Sequence, residues 1–442
     1  MRTRYHPWLT FAIFCLLLAT SSSASAQAWL SDRKRSEGHG IRVGDLELHP
    51  GLGTEVGYYT NPFYSESPSG SAALRVAPHL FLSTLGAERA GADDGTYRPG
   101  LVRFTGGLSA SYQHYFVFAA RDALGTDINL DFTLAPERPV GLRLTEVLNR
   151  TALPFSDSNL PPAQRLTVKA PDFTRYNEIA GAQLLFQTSG GILKGSLGYS
   201  FAYAWFDDLG FQINNNLTHT GHLTAGWEFL PKTALFYDAT FAHQEYPKQN
   251  DSEFAGMTYS RLVNNDQLST RIGVNGAITS RLGATIAVGY AAGFFGGIDY
   301  EGLIGSVEGR FTPNEASELA LVADRSFMPS YLGGFLENDR IYARLRWLIG
   351  RAVLIRSRIG VEFLRFGFDP LQGNRHDRRY FGDLSGEYRF IDWLALTAQV
   401  NMLIDDTDFV FQAPASATGA AAIPNPAKFK AFEGWLGLRA FY

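Results

Sequence analysis

The chain has 442 residues, of which 45% are hydrophobic and 19% charged, and a formal net charge of −4. This balance excludes a disordered chain, and the small net charge gives nucleic acid no electrostatic footprint. Aromatic residues make up 14% and there are 45 glycines, a mix that favours strands and tight turns over helix bundles.

The first 26 residues read as a signal peptide. Arg2 and Arg4 form the charged start, 9–20 the apolar centre, and Ala24-Ser25-Ala26 a small-residue cleavage site. Cleavage is expected before Gln27, with cutting after Ala28 as the near alternative. The apolar centre is too short to span a bilayer. Cys15 is the only cysteine and lies in this segment; Phe14 before it does not fit a lipid-attachment site. The mature chain then has no thiol for disulfides, Cys-ligated zinc or iron–sulfur clusters. No later apolar run is long enough for a transmembrane helix. The polar stretch 27–45 reads as a periplasmic N-terminal segment, too short for a domain.

From 46 to 442 the chain settles into runs of alternating apolar and polar residues separated by turns. The first half holds 46–59, 71–83, 101–115, 127–134, 140–151, 176–187, 192–205, 217–230 and 234–246. Pro78 counts against the second run, because proline removes a ladder donor. The fourth is a near-perfect alternation, with Ile128, Leu130, Phe132 and Leu134 against Asp127, Asn129, Asp131 and Thr133. The second half holds 267–279, 284–295, 300–312, 317–330, 340–349, 352–366, 379–390, 395–405 and 428–442. That makes 18 strands, within a range of 16–20, and an even number returns both ends to the periplasmic side. Most turns after even-numbered strands are short, and 154–174, 247–265, 331–338, 369–377 and 410–427 are longer. The pattern is that of an all-β, closed antiparallel transmembrane barrel in a bacterial outer membrane.

Charge assigns the faces, because unpaired charge in hydrocarbon is costly. Ile341, Ala343, Leu345, Trp347 and Ile349 point to lipid, and Arg340, Arg344 and Arg346 to the lumen. The next two strands add lumenal Arg356, Arg358, Glu362, Asp383, Glu387 and Arg389. The lumen is therefore polar, and a barrel this wide holds a channel unless a loop plugs it. The arginines form either a basic stripe that guides an anionic or sugar substrate, or a wall network in which Arg344, Arg346, Arg356, Arg358 and Arg389 pair with Glu362, Asp383 and Glu387. Tyr58, Tyr59, Tyr112, Trp205, Trp227, Trp347 and Trp393 fit interfacial girdles.

No enzyme motif stands out, so no catalytic residue, cofactor or metal is assigned. Barrel lipases and proteases exist, and His219, His222 and His243 lie near Ser196 and Ser200 in the strand count, but the spacing demands no Ser–His pair and His219 falls on the apolar series. Asp405, Asp406 and Asp408 could bind calcium or simply form an acidic loop rim.

The last strand resembles the assembly signal of outer-membrane barrels, with Gly437, Ala440 and Tyr442 in matching places; Trp435 stands where a polar residue is preferred. The resemblance implies recognition by the barrel-assembly machinery. The barrel opening, Leu46 through Pro50-Gly51 to Tyr58-Tyr59-Thr60-Asn61-Pro62-Phe63, then Arg75-Val76-Ala77-Pro78, is similar to a family of outer-membrane β-barrel porins, several associated with exopolysaccharide or capsule production. That likeness implies a conduit for sugar-polymer export. The chain lacks the periplasmic helical repeats of some export barrels, so a separate periplasmic export protein would be a partner. Outer-membrane lipids are the other expected partner, and nucleic acid is not. The alternatives are a general diffusion porin and, in another class, a barrel enzyme.

Overall fold

A computed structural model describes residues 40–62, 68–84, 100–117, 122–151, 174–207, 212, 214–248, 262–296, 299–314, 316–330, 334–350, 352–367, 375–411, 425–426 and 428–442. The signal peptide, the lead-in up to residue 39, and the loop segments 152–173 and 412–424 lie outside the described residues.

Alternation makes each run a strand, and each strand can satisfy its backbone only by pairing on both edges. The outcome is one 19-stranded antiparallel sheet. Its first member, Ile41–Val43, is a three-residue strand folded back on the start of the next. The remaining 18 close on themselves. In chain order they are β1 (Leu46–Tyr59), β2 (Ser71–Thr84), β3 (Val102–Tyr115), β4 (Ala123–Leu134), β5 (Val140–Thr151), β6 (Arg175–Gln187), β7 (Leu193–Phe206), β8 (Asn216–Leu230) and β9 (Thr233–Glu245). There follow β10 (Asn265–Ala277), β11 (Leu282–Phe294), β12 (Tyr300–Asn314), β13 (Ser317–Pro329), β14 (Phe335–Ile349), β15 (Val353–Gly367), β16 (Arg375–Ile391), β17 (Leu394–Asp406) and β18 (Phe429–Phe441). Each pairs with its neighbours in sequence, and β18 pairs with β1 through Leu52↔Ala440, Thr54↔Leu438 and Val56↔Leu436. The connections 231–232 and 392–393 lie at one end, and the long ones, such as 246–264 and 407–428, at the other.

The seam needs small residues. A Cβ on Gly437 would strike the Thr54 carbonyl and the Glu55 side chain, and one on Gly57 would strike the Trp435 ring. Pro78 stays inside β2. It keeps its place opposite Leu52 of β1, while the β2–β3 ladder skips from Val76↔Tyr112 to His79↔Ser109. The missing N–H is thus absorbed on one edge only.

Strand parity separates two surfaces. Outward positions are large and apolar: Val56 is 57% exposed, Leu303 68%, Leu321 63% and Ile359 59%. Most inward positions are polar or small. Among the described residues the other sheet is the two-stranded pairing of Val410–Phe411 with Asn425–Pro426, and the buried side chains sit in separate clusters along the inner wall. Tyr59, Tyr115 and Trp435 form one beside the seam. Two more, Leu336–Leu364–Phe366 and Phe381–Leu403–Phe429–Ala431, lie towards the long-loop end of β14–β18.

One hairpin departs from the cylinder. The β12–β13 ladder stops at Gly305↔Arg325. Beyond it, Phe327 and Phe335 belong to the outward series of β13–β14. Yet they pack on Ala291, Tyr300 and Ile304 of the inward series of β11–β12, with Phe327 stacked on Tyr300 at 4.3 Å. The far end of the β13–β14 hairpin therefore leans over the inner wall of its neighbours.

Candidate functional site

The inner wall is the candidate site, and its chemistry differs around the barrel. On β12–β16 it is charged. Arg344 and Arg346 lie directly opposite Arg358 and Arg356 in the β14–β15 ladder. Like charges in register repel, and the wall answers with carboxylates on the flanking strands. Arg344 donates to Glu308 at 2.9 Å and to Glu318 at 3.4 Å. Arg340 pairs with Asp324 at 3.0 Å, and Arg358 with Asp383 at 2.8 Å. Glu387 accepts from Arg389 at 2.9 Å and from Arg439 at 3.2 Å. Arg75 and Glu55 pair beside the seam.

This arrangement changes the expected pairing. Asp383 and Glu387 serve the stripe, and Glu362 stands opposite Arg340 in the β14–β15 ladder while also approaching Arg379, an arginine outside the expected stripe, at 3.8 Å. The stripe's other acids, Glu308, Glu318 and Asp324, come from β12 and β13. Each was an inward carboxylate in its own run, and only the ladder register brings it to an arginine. Arg356 forms no ion pair with a described residue. It sits near the short-turn end of β15, so an uncompensated cation faces that half of the lumen.

Towards the long-loop end the inner wall becomes dry. Arg379 and Glu362 are 0% exposed, Arg375 1%, Asp405 2% and Asp377 3%. Arg379 pairs with Asp405 at 3.1 Å and approaches Glu362 at 3.8 Å. Arg375 pairs with Asp377 at 2.5 Å and lies 3.8 Å from Asp405. Its guanidinium also covers the Phe366 ring at 4.5 Å and the Phe409 ring at 5.3 Å. Two cations and three carboxylates thus leave water together, a cost that their mutual attraction has to offset.

The opposite wall mixes ion pairs, Asp131–Arg143, Lys194–Glu228 and Asp238–Arg271, with uncharged polar groups. Near the long-loop end, Gln267 donates to Asn265 at 2.7 Å, Asn265 to Gln244 at 3.4 Å and Gln244 to Asn216 at 3.1 Å, an amide ladder across three strands. Ser196 contacts Thr224 and accepts from Gln183, both at 2.6 Å, rather than meeting a histidine. His222 faces inward, 3.5 Å from Asp238, whose nearer partner is Arg271 at 3.1 Å. His219 and His243 are on the outer surface, so the barrel wall separates them from Ser196 and Ser200. Among the described residues no group of His, Cys, Asp or Glu is arranged to hold a metal ion. Asp405 is committed to Arg379, so it is not available to an acidic rim with Asp406 and Asp408.

The aromatic girdles divide by height. Trp227, Trp347 and Trp393 are exposed at the short-turn end, and Tyr58 and Tyr112 at the other. Trp205 joins Tyr58 and Tyr112 there, stacked between Tyr176 at 4.7 Å and Tyr203 at 5.0 Å. Tyr59 is a correction to the girdle. It points inward, 4% exposed, and packs edge-on against Trp435 at 5.4 Å while its hydroxyl accepts from Gln113 at 2.9 Å.

Two aromatic rings of exposed side chains, an apolar outer surface between them and a polar interior leave one reading of where the sheet resides. The chain is an outer-membrane β-barrel channel. No protein-family profile and no curated protein matches the sequence. Solved structures similar to it include OpdQ of Pseudomonas aeruginosa, at 9% identity over 90% of this chain and 99% of that one, with a TM-score of 0.45. The outer membrane protein OpdK of the same organism is 11% identical over 89% of this chain and 99% of that one, with a TM-score of 0.43. The ferric enterobactin receptor PfeA is 9% identical over 89% of this chain and 80% of that one, with a TM-score of 0.45. The barrel assignment itself rests on the closed strand pairing and the apolar-out, polar-in parity.

The wall separates paired from unpaired charge, and selectivity should follow that division. Replacing Arg356 with glutamate is expected to shift the reversal potential in planar bilayers towards cations. Exchanging Arg358 and Asp383 should leave it unchanged, because that pair is neutral and partly exposed, worth roughly 0–1 kcal/mol. Equal shifts from both variants would remove any guiding role for the arginines.

Proposed function

We propose that the barrel is a gated conduit that carries a sugar polymer outward across the outer membrane, fed by a periplasmic export protein. The observation that carries this reading is the dry ion network of Arg375, Arg379, Glu362, Asp377 and Asp405 on the inner wall near the long-loop end. A diffusion pore works by keeping its lumen wet, whereas an export barrel must stay shut until its cargo arrives. Two further features support it. Gln267, the most open member of the amide ladder, is a group of the kind that sugar hydroxyls use, while Asn216, Gln244 and Asn265 behind it are buried in bonds to one another. Arg356 faces the half of the lumen that a periplasmic cargo reaches first, and would favour a polymer bearing carboxylates or phosphates. The resemblance of the barrel opening to porins of exopolysaccharide and capsule production points the same way. In this reading the C-terminal residues Gly437, Ala440 and Tyr442 present the chain to the barrel-assembly machinery.

Planar-bilayer recording tests the gate. The purified barrel should show rare, brief openings. Steady conductance of the size expected for an 18-stranded open pore would favour a general diffusion porin instead. The cargo is tested in cells: deletion of the chain should trap polymer in the periplasm, and unchanged surface polymer would end the export reading.

A further inference from the structure

Near the long-loop end the outward series carries charge on several strands, each with a partner, such as His243 with Asp266, Glu301 with Tyr290 and Arg150 with Tyr176; on β5 and β6 two acids lack one. Glu146 of β5 sits in the ladder between Leu130 and Ala180, and Glu178 of β6 between Leu148 and Tyr203, so both belong to the lipid-facing surface. Leu144 and Leu184 in the same surface are 42% and 44% exposed. Neither carboxylate forms a hydrogen bond or ion pair with a described residue, and the charge that acts on Glu146 is that of Glu178. By contrast, outward Arg325 and Asp339 of β13–β14 satisfy each other at 2.5 Å. Glu178 lies at the level of the Tyr203 ring, but Glu146 is at mid-strand, where a carboxylate facing acyl chains without a partner is unfavourable, and intramembrane ionisable groups normally mark a contact.

The counterpart is on the same wall. His219 of β8 also faces outward, with Nδ1 held by the Tyr199 hydroxyl at 2.7 Å and Nε2 without a partner among the described residues. Glu178 stands as far along its strand above Phe186 as His219 stands above Trp227, so the two lie at one height. Between them runs β7, whose outward residues Leu197, Tyr199, Phe201, Tyr203 and Trp205 carry no charge. An acid and a base at equal height on either side of an uncharged aromatic strip form a self-complementary patch. That is the requirement for an isologous contact.

We propose that the outer wall of β5–β8 is an interface with a second copy of this chain. A two-fold axis along the membrane normal, passing over β7 between Phe201 and Tyr203, sets Glu178 of each copy against His219 of the other. Glu146, deeper on the same wall, is shielded from lipid by that contact. The dimer leaves each lumen separate.

Single cysteines test this directly, since Cys15 is the only native one and can be replaced by serine. Phe201→Cys lies beside the proposed axis and should give a disulfide-linked dimer when oxidised in outer membranes. Val400→Cys, exposed on β17 far from this wall, should stay monomeric. Adding Glu178→Lys to Phe201→Cys should reduce the dimer to the Val400→Cys level, and the exchange of Glu178→His with His219→Glu should restore it. The heat-dependent gel shift of a folded barrel is followed in every variant, so that misfolding is not read as loss of contact. Folded Phe201→Cys barrels that cross-link no better than Val400→Cys barrels, and so meet only lipid there, overturn the proposal. So does a dimer yield that Glu178→Lys leaves unchanged.

Discussion

Arg379→Met should destabilise the barrel by about 3–5 kcal/mol, the usual cost of removing one partner from a buried ion pair. The arginine is 0% exposed and stands between Asp405 at 3.1 Å and Glu362 at 3.8 Å. Methionine fills much of the same space but leaves two carboxylates in a dry site. Urea-induced unfolding of the barrel in lipid vesicles measures the loss. The remedy is as informative as the damage. Adding Glu362→Gln and Asp405→Asn should recover most of the stability, because uncharged groups of similar shape no longer need the cation. Arg375 keeps Asp377 at 2.5 Å in that variant. The single substitution should also lengthen channel openings, if the network is what closes the mouth. A stable Arg379→Met barrel would mean that the network is wetter than its burial indicates.

Removal of Phe441 and Tyr442 should abolish folded barrel in the outer membrane. The Phe441 amide donates to the Trp393 carbonyl at 2.9 Å and the Tyr442 amide to the Pro50 carbonyl at 3.0 Å, so these residues tie the last strand to both of its neighbours. The Phe441 ring also lies under the Arg389 guanidinium at 4.6 Å. Truncation therefore unzips the short-turn end of the seam and removes the terminal part of the resemblance to an assembly signal. Heat-dependent gel mobility of outer-membrane fractions reports the outcome. Tyr442→Phe should assemble normally, because its backbone bond and outward ring persist. Normal levels of the truncated chain would contradict both roles.

The fold was legible because parity is a long, repeated signal. Ile341, Ala343 and Leu345 against Arg340, Arg344 and Arg346 declare two faces without any knowledge of neighbours. Boundaries were less legible where charge enters the outward series. β14 begins at Phe335 and β16 at Arg375, earlier than the alternation indicates. Asp339 and Arg378 lie on outward positions there, at the outer ends of their strands, and Glu337, buried under the leaning hairpin, pairs with Arg365. The stripe's partners were hidden for another reason. Glu308, Glu318 and Asp324 reach Arg340 and Arg344 only through ladder register, and periodicity within a run says nothing about the run beside it. The buried network was hidden because alternation distinguishes inside from outside but not wet from dry. Asp377 and Asp405 have the same parity as residues that line water.

The leaning β13–β14 hairpin fixes how such a mouth can widen. Its ladder to β12 ends at Gly305↔Arg325, whereas its ladder to β15 runs on to Phe335↔Gly367. The overhanging part is thus sewn along one side only. A ring of equal strands would dilate like an iris. Under the proposed gating this one would swing as a flap, pivoting where the ladder ends and clearing the β11–β12 side first. Cargo would then leave off-centre, sliding along that cleared wall.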